Sequence, residues 1–185
     1  LNAIPYGSLA GTELQAPIVS PPTGFIPATV GGVSGTIDPG ITITASPPGG
    51  LTVPEVTQIL AQAAVQANRT RAAIRNPIGT PARVSITVVD TSGNIRGIFR
   101  TIDAPLFGFD VSAQKARSAN LFTRTDAGQR LTTAGLGAYV TALGNEGLAL
   151  NGSTAFSDRA IGFLSQPIFP PGASSNFLFG PLSKP

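Results

Sequence analysis

The segment VSITVVD-TSGN-IRGIFRT, residues 84–101, restricts the possible folds of this chain more than any other. Val84, Ile86 and Val88 alternate with Ser85, Thr87 and Val89. A two-residue period of β-branched side chains favours a strand, because successive side chains leave a pleated backbone on opposite faces. Thr91-Ser92-Gly93-Asn94 is short and polar, with Gly and Asn both tolerant of positive φ. A second strand resumes with Ile95, Gly97 and Phe99 on one face and Arg96, Ile98 and Arg100 on the other. The pattern predicts a β-hairpin. An isolated hairpin is marginal in water, so the remaining chain has to cover it.

Two helices flank it. Thr52-Val53-Pro54-Glu55 combines a capping box with Pro in the first turn. Val56, Ile59, Leu60, Ala63 and Ala67 then recur at helical spacing, and Arg69, Arg71 and Arg75 complement the C-terminal dipole. Asn76-Pro77 predicts the end, giving a helix over 52–75. After the hairpin, Asp103-Ala104-Pro105 breaks the strand and Asp110 reads as the N-cap of a helix running to Arg124. Its Ala113, Ala116, Ala119 and Phe122 form a small-residue stripe suited to close packing on a sheet. Val111, Gln114, Lys115 and Ser118 form another stripe. Between Ala127 and Leu143, Gly135 and Gly137 divide an apolar pattern into two short helical pieces.

Gly and Pro supply 22 and 17 residues, so much of the chain has to be turn or irregular. Residues 1–50 concentrate them, and Pro17, Pro21, Pro22, Pro27, Pro39, Pro47 and Pro48 exclude regular helix there. Strands are limited to short edge pieces, with Thr36-Ile37 and Ile41–Thr44 as candidates. The expected organisation is a Pro/Gly-rich extended arm over 1–50, ordered by contact, and a domain over 51–185. The fold class expected is α+β, an antiparallel sheet flanked by helices.

These blocks resemble the GlcG/HbpS-type haem-binding family, which includes the PduO C-terminal domain. The resemblance rests on Val88, Val89, Asp90, Gly93, Ile95, Phe99 and Arg100, then Asp103, Ala104, Pro105 and Leu106, then Asp110, Val111, Lys115 and Ala116. It covers roughly residues 51–124 and implies a non-catalytic haem- or tetrapyrrole-binding module. The cofactor-binding candidates it implies are Arg96, Arg100 and Lys115 for the propionates and Phe99 and Phe107 for apolar packing. An iron ligand from a partner chain is the other possibility. The same aromatics can equally be core and the same cations surface.

The chemistry available within the chain is limited. Cys, His, Met and Trp are all absent, so no Ser-His-Asp triad, thiol nucleophile or ordinary zinc site can form. Usual haem ligands reduce to Tyr6 and Tyr139, both outside the matching blocks. Ser112 and Lys115 are i,i+3 neighbours, a slender basis for nucleophilic catalysis. No metal cluster is expected. Net charge is +3, with ten of twelve cations in residues 51–130. They are spread over two helices and a hairpin without an aromatic platform, so nucleic acid is not the expected partner. No apolar stretch is long enough to span a membrane.

A start other than Met suggests an exported, processed protein, periplasmic or extracellular. The Gly-rich strands that close the sheet in the family are missing before Pro185. The hairpin is therefore expected to leave an open edge, completed by a second polypeptide, such as the other product of one precursor, within a homo- or hetero-oligomer. The alternative is a structural or accessory subunit with no ligand of its own.

Overall fold

The computed structural model describes residues 25–41, 43–157 and 160–162. Its elements in chain order are β1 (Ile26–Val30), β2 (Val33–Ile37), α1 (Val53–Arg69), β3 (Ser85–Val89), β4 (Ile95–Thr101), α2 (Gly108–Thr123), α3 (Ala127–Thr133) and α4 (Gly137–Asn145). The four strands form one antiparallel sheet in the order β1-β2-β4-β3. The class is α+β.

The expected hairpin is β3–β4. Ile86 lies opposite Phe99 and Val88 opposite Gly97, with a register shift at Val88/Val89. Its two faces divide the core. Phe99 is fully buried and joins Val30, Val33, Val88 and the α1 residues Val56, Leu60 and Ala64 in one cluster. Gly97 permits this approach, since a Cβ there would sit 3.1 Å from Leu60 and 3.3 Å from Val56. Ile98, 1% exposed, points to the opposite face, where α2 packs with Ala113 buried. α3 and α4 form a second cluster with Leu131, Leu143, Leu150 and Phe156, against which Leu121 and Phe122 of α2 pack.

The capping box of α1 is present: Thr52 accepts from the Glu55 amide while Glu55 accepts from the Thr52 amide. The helix stops at Arg69, six residues before the expected Arg75. Thr70 adopts an extended conformation, and its carbonyl accepts from the Ala82 amide at 2.8 Å. The Ala72 amide donates to Thr80 at 3.0 Å, so a folded-back loop overrides the helical propensity of residues 70–75. The Asn76–Pro77 peptide in that loop is cis. α2 starts two residues earlier than expected. Gly108 and Phe109 donate to Pro105 and Leu106, which begins the coil before Asp110. Phe107 occupies the N-cap position and Asp110 lies in the first turn, where its charge suits the dipole. The two short helices after Arg124 are those expected, separated at Gly135 with φ +83°.

The largest difference concerns residues 1–50. Residues 1–24 lie outside those described, but 26–37 are an integral part of the sheet instead of an irregular arm. Gly31 and Gly32, with φ +59° and +75°, make the two-residue turn that lets β1 fold onto β2. Thr36-Ile37 falls within β2. In the Ile41–Thr44 piece, Thr42 lies outside the described residues, Ile43 packs on the core and the Thr44 amide donates to Arg96. β2 pairs with β4 through Gly35↔Thr101 and Thr36↔Arg100. One edge of the hairpin, that of β4, is thus occupied by this same chain, and among the described residues the outer strands are β1 and β3.

Gly35 tests this joint. A Cβ there would lie 2.2 Å from the Arg100 carbonyl and 2.5 Å from the Phe99 ring. Gly35→Ala is expected to cost at least about 2 kcal/mol by overpacking, visible as a lower urea midpoint. An unchanged midpoint would mean that β2 does not hold this position.

Candidate functional site

The β3–β4 turn is built around one carboxylate. Asp90 is 5% exposed. Its Oδ1 accepts from the backbone amides of Ser92 at 2.8 Å and Asn94 at 3.0 Å. Its Oδ2 accepts from Arg96 Nε at 2.8 Å and from a second nitrogen of the same guanidinium. The backbone closes the turn through Asp90 N to Asn94 O and Gly93 N to Asp90 O, both 2.9 Å. An Asp side chain bonding amides two and four residues on imitates a turn of backbone, which is why this residue type suits the position. Burial alone pushes the Asp90 carboxyl up. The Arg96 and amide hydrogen bonds together outweigh it and bring the group from 3.8 down to about 2.

With its amides folded inward, the turn turns carbonyls toward α2. Arg117 Nε donates to Gly93 O at 2.9 Å, Asn120 Nδ2 to Thr91 O at 3.2 Å, and the Arg124 guanidinium also donates to Thr91 O. Beyond the helix end, Asp126 pairs with Arg124 at 2.6 Å and Arg130 at 2.7 Å. These hydrogen bonds hold the Asp126 carboxyl well below the usual range, that from Arg124 contributing most. The result is a cleft of about 430 Å³ between the turn and Arg117, Asn120, Arg124 and Arg130. Arg117, Arg124 and Arg130 line it, and the latter two are both paired with Asp126. A second cleft of about 640 Å³ lies on the other side of the same turn, lined by residues 46–51, Glu55 and Val89–Ser92. Thr91, Ser92 and Asn120 border both clefts.

None of the five residues singled out in the sequence lines either of these two clefts. Arg96 is committed to Asp90. Phe99 is fully buried beneath α1. Arg100 donates to the Ala104 carbonyl and stands 5.7 Å over the Phe25 ring, which itself meets Phe109 edge-on. Phe107 is 76% exposed at the start of α2, and Lys115 is exposed further along that helix. Ser112, the other half of the Ser–Lys pair, bonds Thr87 Oγ1 at 2.6 Å and donates to Phe109 O at 2.8 Å, so its hydroxyl fastens α2 to β3. The residues that do converge are Arg117, Asn120 and Arg124. Their i, i+3, i+7 spacing on α2 was the available signal.

A haem can be tested against this geometry in two parts. Carboxylates fit the cleft, because guanidinium groups bind them with paired, charge-assisted hydrogen bonds. For the iron, the described residues offer no ligand at this cleft. Among the described residues Tyr139 alone belongs to a common ligand type, and it lies on α4 outside the cleft lining. Among the described residues no group of three His, Cys, Asp or Glu side chains is placed to hold a metal ion.

Because the folded-state pKa of Asp90 is depressed, its stabilisation is present above pH 4 and is lost as pH falls from about 4 to about 2. Asp90→Ala, which strands a half-buried guanidinium and two turn amides, is expected to cost about 3 kcal/mol at neutral pH. Thermal unfolding of both proteins between pH 2 and 6 checks this: the difference in midpoint should shrink toward acid. A constant difference would contradict it. No family model matches this chain, and neither does any curated protein or solved structure.

Proposed function

We propose that the chain is a non-catalytic binding module for a carboxylate-bearing ligand, with a haem or other tetrapyrrole as the class its sequence resemblance implies. The observation that supports this most is the arginine-lined cleft against the β3–β4 turn. Arg117 and Arg130 supply the cations and Asn120 a neutral donor, while Arg124, whose guanidinium bonds Asp126 and Thr91 O, holds the wall between them. Arg117 and Arg124 are already braced by turn carbonyls, so little side-chain freedom is lost when an anion arrives. A tetrapyrrole bound here would be held by its propionates. Any iron ligand would come from outside the described residues or from another chain. The setting proposed is an exported protein, periplasmic or extracellular.

A second reading, a structural subunit with no ligand, draws on the sheet edges. Among the described residues β3 has a neighbour on one side only, so its outer edge can accept a strand from a second polypeptide in a larger assembly. Under this reading native material carries no chromophore and β3 is protected in an interface.

Titration with hemin and with iron-free protoporphyrin separates the readings. Both are expected to shift the Soret band and to saturate near one ligand per chain. Arg117→Gln with Arg130→Gln should weaken both by at least about tenfold, the scale of one lost charge-assisted contact. Flat titrations would remove the binding reading. Hemin binding alone, indifferent to the arginines, would place the ligand elsewhere.

A further inference from the structure

The opposite end of the sheet carries a different surface. The loop between α1 and β3 exposes Ile74 to 95% and Ile78 to 98%, higher values than those of the other exposed large apolar side chains among the described residues. This loop is not loosely held. Ala72 and Thr80 pair at 3.0 Å, Ala82 and Thr70 at 2.8 Å, and Thr80 Oγ1 donates to Pro77 O at 2.6 Å. Beside Ile74, Arg75 ties the loop to the β4–α2 connection by donating to Asp103 O at 3.2 Å. That connection exposes Ile102 to 47% and leads to Phe107. Between Glu55 and Asp90 the chain holds four arginines, Arg69, Arg71, Arg75 and Arg83, and no acid. Among the described residues Asp103 and Asp110 are carboxylates at this end, on the neighbouring connection and the first turn of α2.

We propose that this loop is a membrane-surface anchor that docks the protein on an anionic bilayer, Ile74 and Ile78 entering the headgroup–acyl boundary while the arginines at the loop's base meet lipid phosphates. Three observations select this occupant. Two apolar tips on a projecting loop make too small a patch for a stable protein interface, which buries about 800 Å² per partner. They do suit interfacial insertion, where apolar depth and basic charge act together. The cations flank the tips in sequence, so tips and charges can engage one surface. The backbone bonds across the loop pre-order it, so binding does not first have to fold it. This surface is separate from the arginine cleft and stands or falls without it.

Cosedimentation of the purified chain with vesicles of phosphatidylcholine, with and without phosphatidylglycerol, tests the proposal. Binding is expected only with the anionic lipid and should fall as salt is raised. Ile74→Ser with Ile78→Ser should lose at least about tenfold in partitioning, with an unchanged circular dichroism spectrum because both side chains are in solvent. Equal binding of wild type and double variant, or equal binding to both vesicle types, would overturn it. So would a self-associated species that the double substitution dissociates, with no vesicle binding by either protein.

Discussion

The Asp90–Arg96 pair is the interaction on which the binding end of this molecule depends. A carboxylate 5% exposed is unfavourable unless every lone pair finds a donor, and Asp90 meets that demand with two turn amides, the Asn94 side chain and a guanidinium. Satisfying it fixes the path of residues 91–94. That path directs the Thr91 and Gly93 carbonyls to α2, which in turn fixes two arginines. Removing the carboxylate therefore affects more than one ion pair: it releases the wall of the cleft. The arrangement also explains why Arg96 is unavailable to a ligand although its charge looks available in the sequence.

The hairpin, the α1 cap and the small-residue stripe of α2 were legible because each is a local pattern. Alternation, a capping box and an i, i+3 stripe need no knowledge of distant residues. Two misreadings share one cause, pairing with residues outside the local pattern. Helix α1 stops at Arg69 because residues 80–82 capture the backbone of residues 70–72. Residues 26–37 become strands because β4 offers an unpaired edge to β2, and Pro27 is tolerated since β1 has a neighbour on one side only among the described residues. Phe99 reads equally as core or ligand contact until α1 is placed over it. The convergence of Arg117, Asn120 and Arg124 depends on where the β3–β4 turn sends its carbonyls, which no local pattern states.

Completion of the β4 edge by β2 alters the physical case for a partner. A hairpin alone would have left unpaired backbone groups at a cost approaching the whole stability of a domain. With β1 and β2 in place the sheet has four strands, with α1 on one face and α2 on the other. Assembly then becomes a matter of what the outer edge of β3 and the exposed loop at the far end meet, and is no longer a condition for building the sheet. The two ends divide in character: a polar, cation-lined cleft at the turn end and an apolar, arginine-flanked loop at the other.

The central claim, that the turn with Arg117, Arg124 and Arg130 forms a carboxylate-binding cleft, is most directly tested by nuclear magnetic resonance of the labelled chain during addition of protoporphyrin. The Ser92 and Gly93 amides and the Arg117, Arg124 and Arg130 Nε–H signals should shift together and saturate together. Shifts confined to residues 70–83, or none at saturating ligand, would contradict the account.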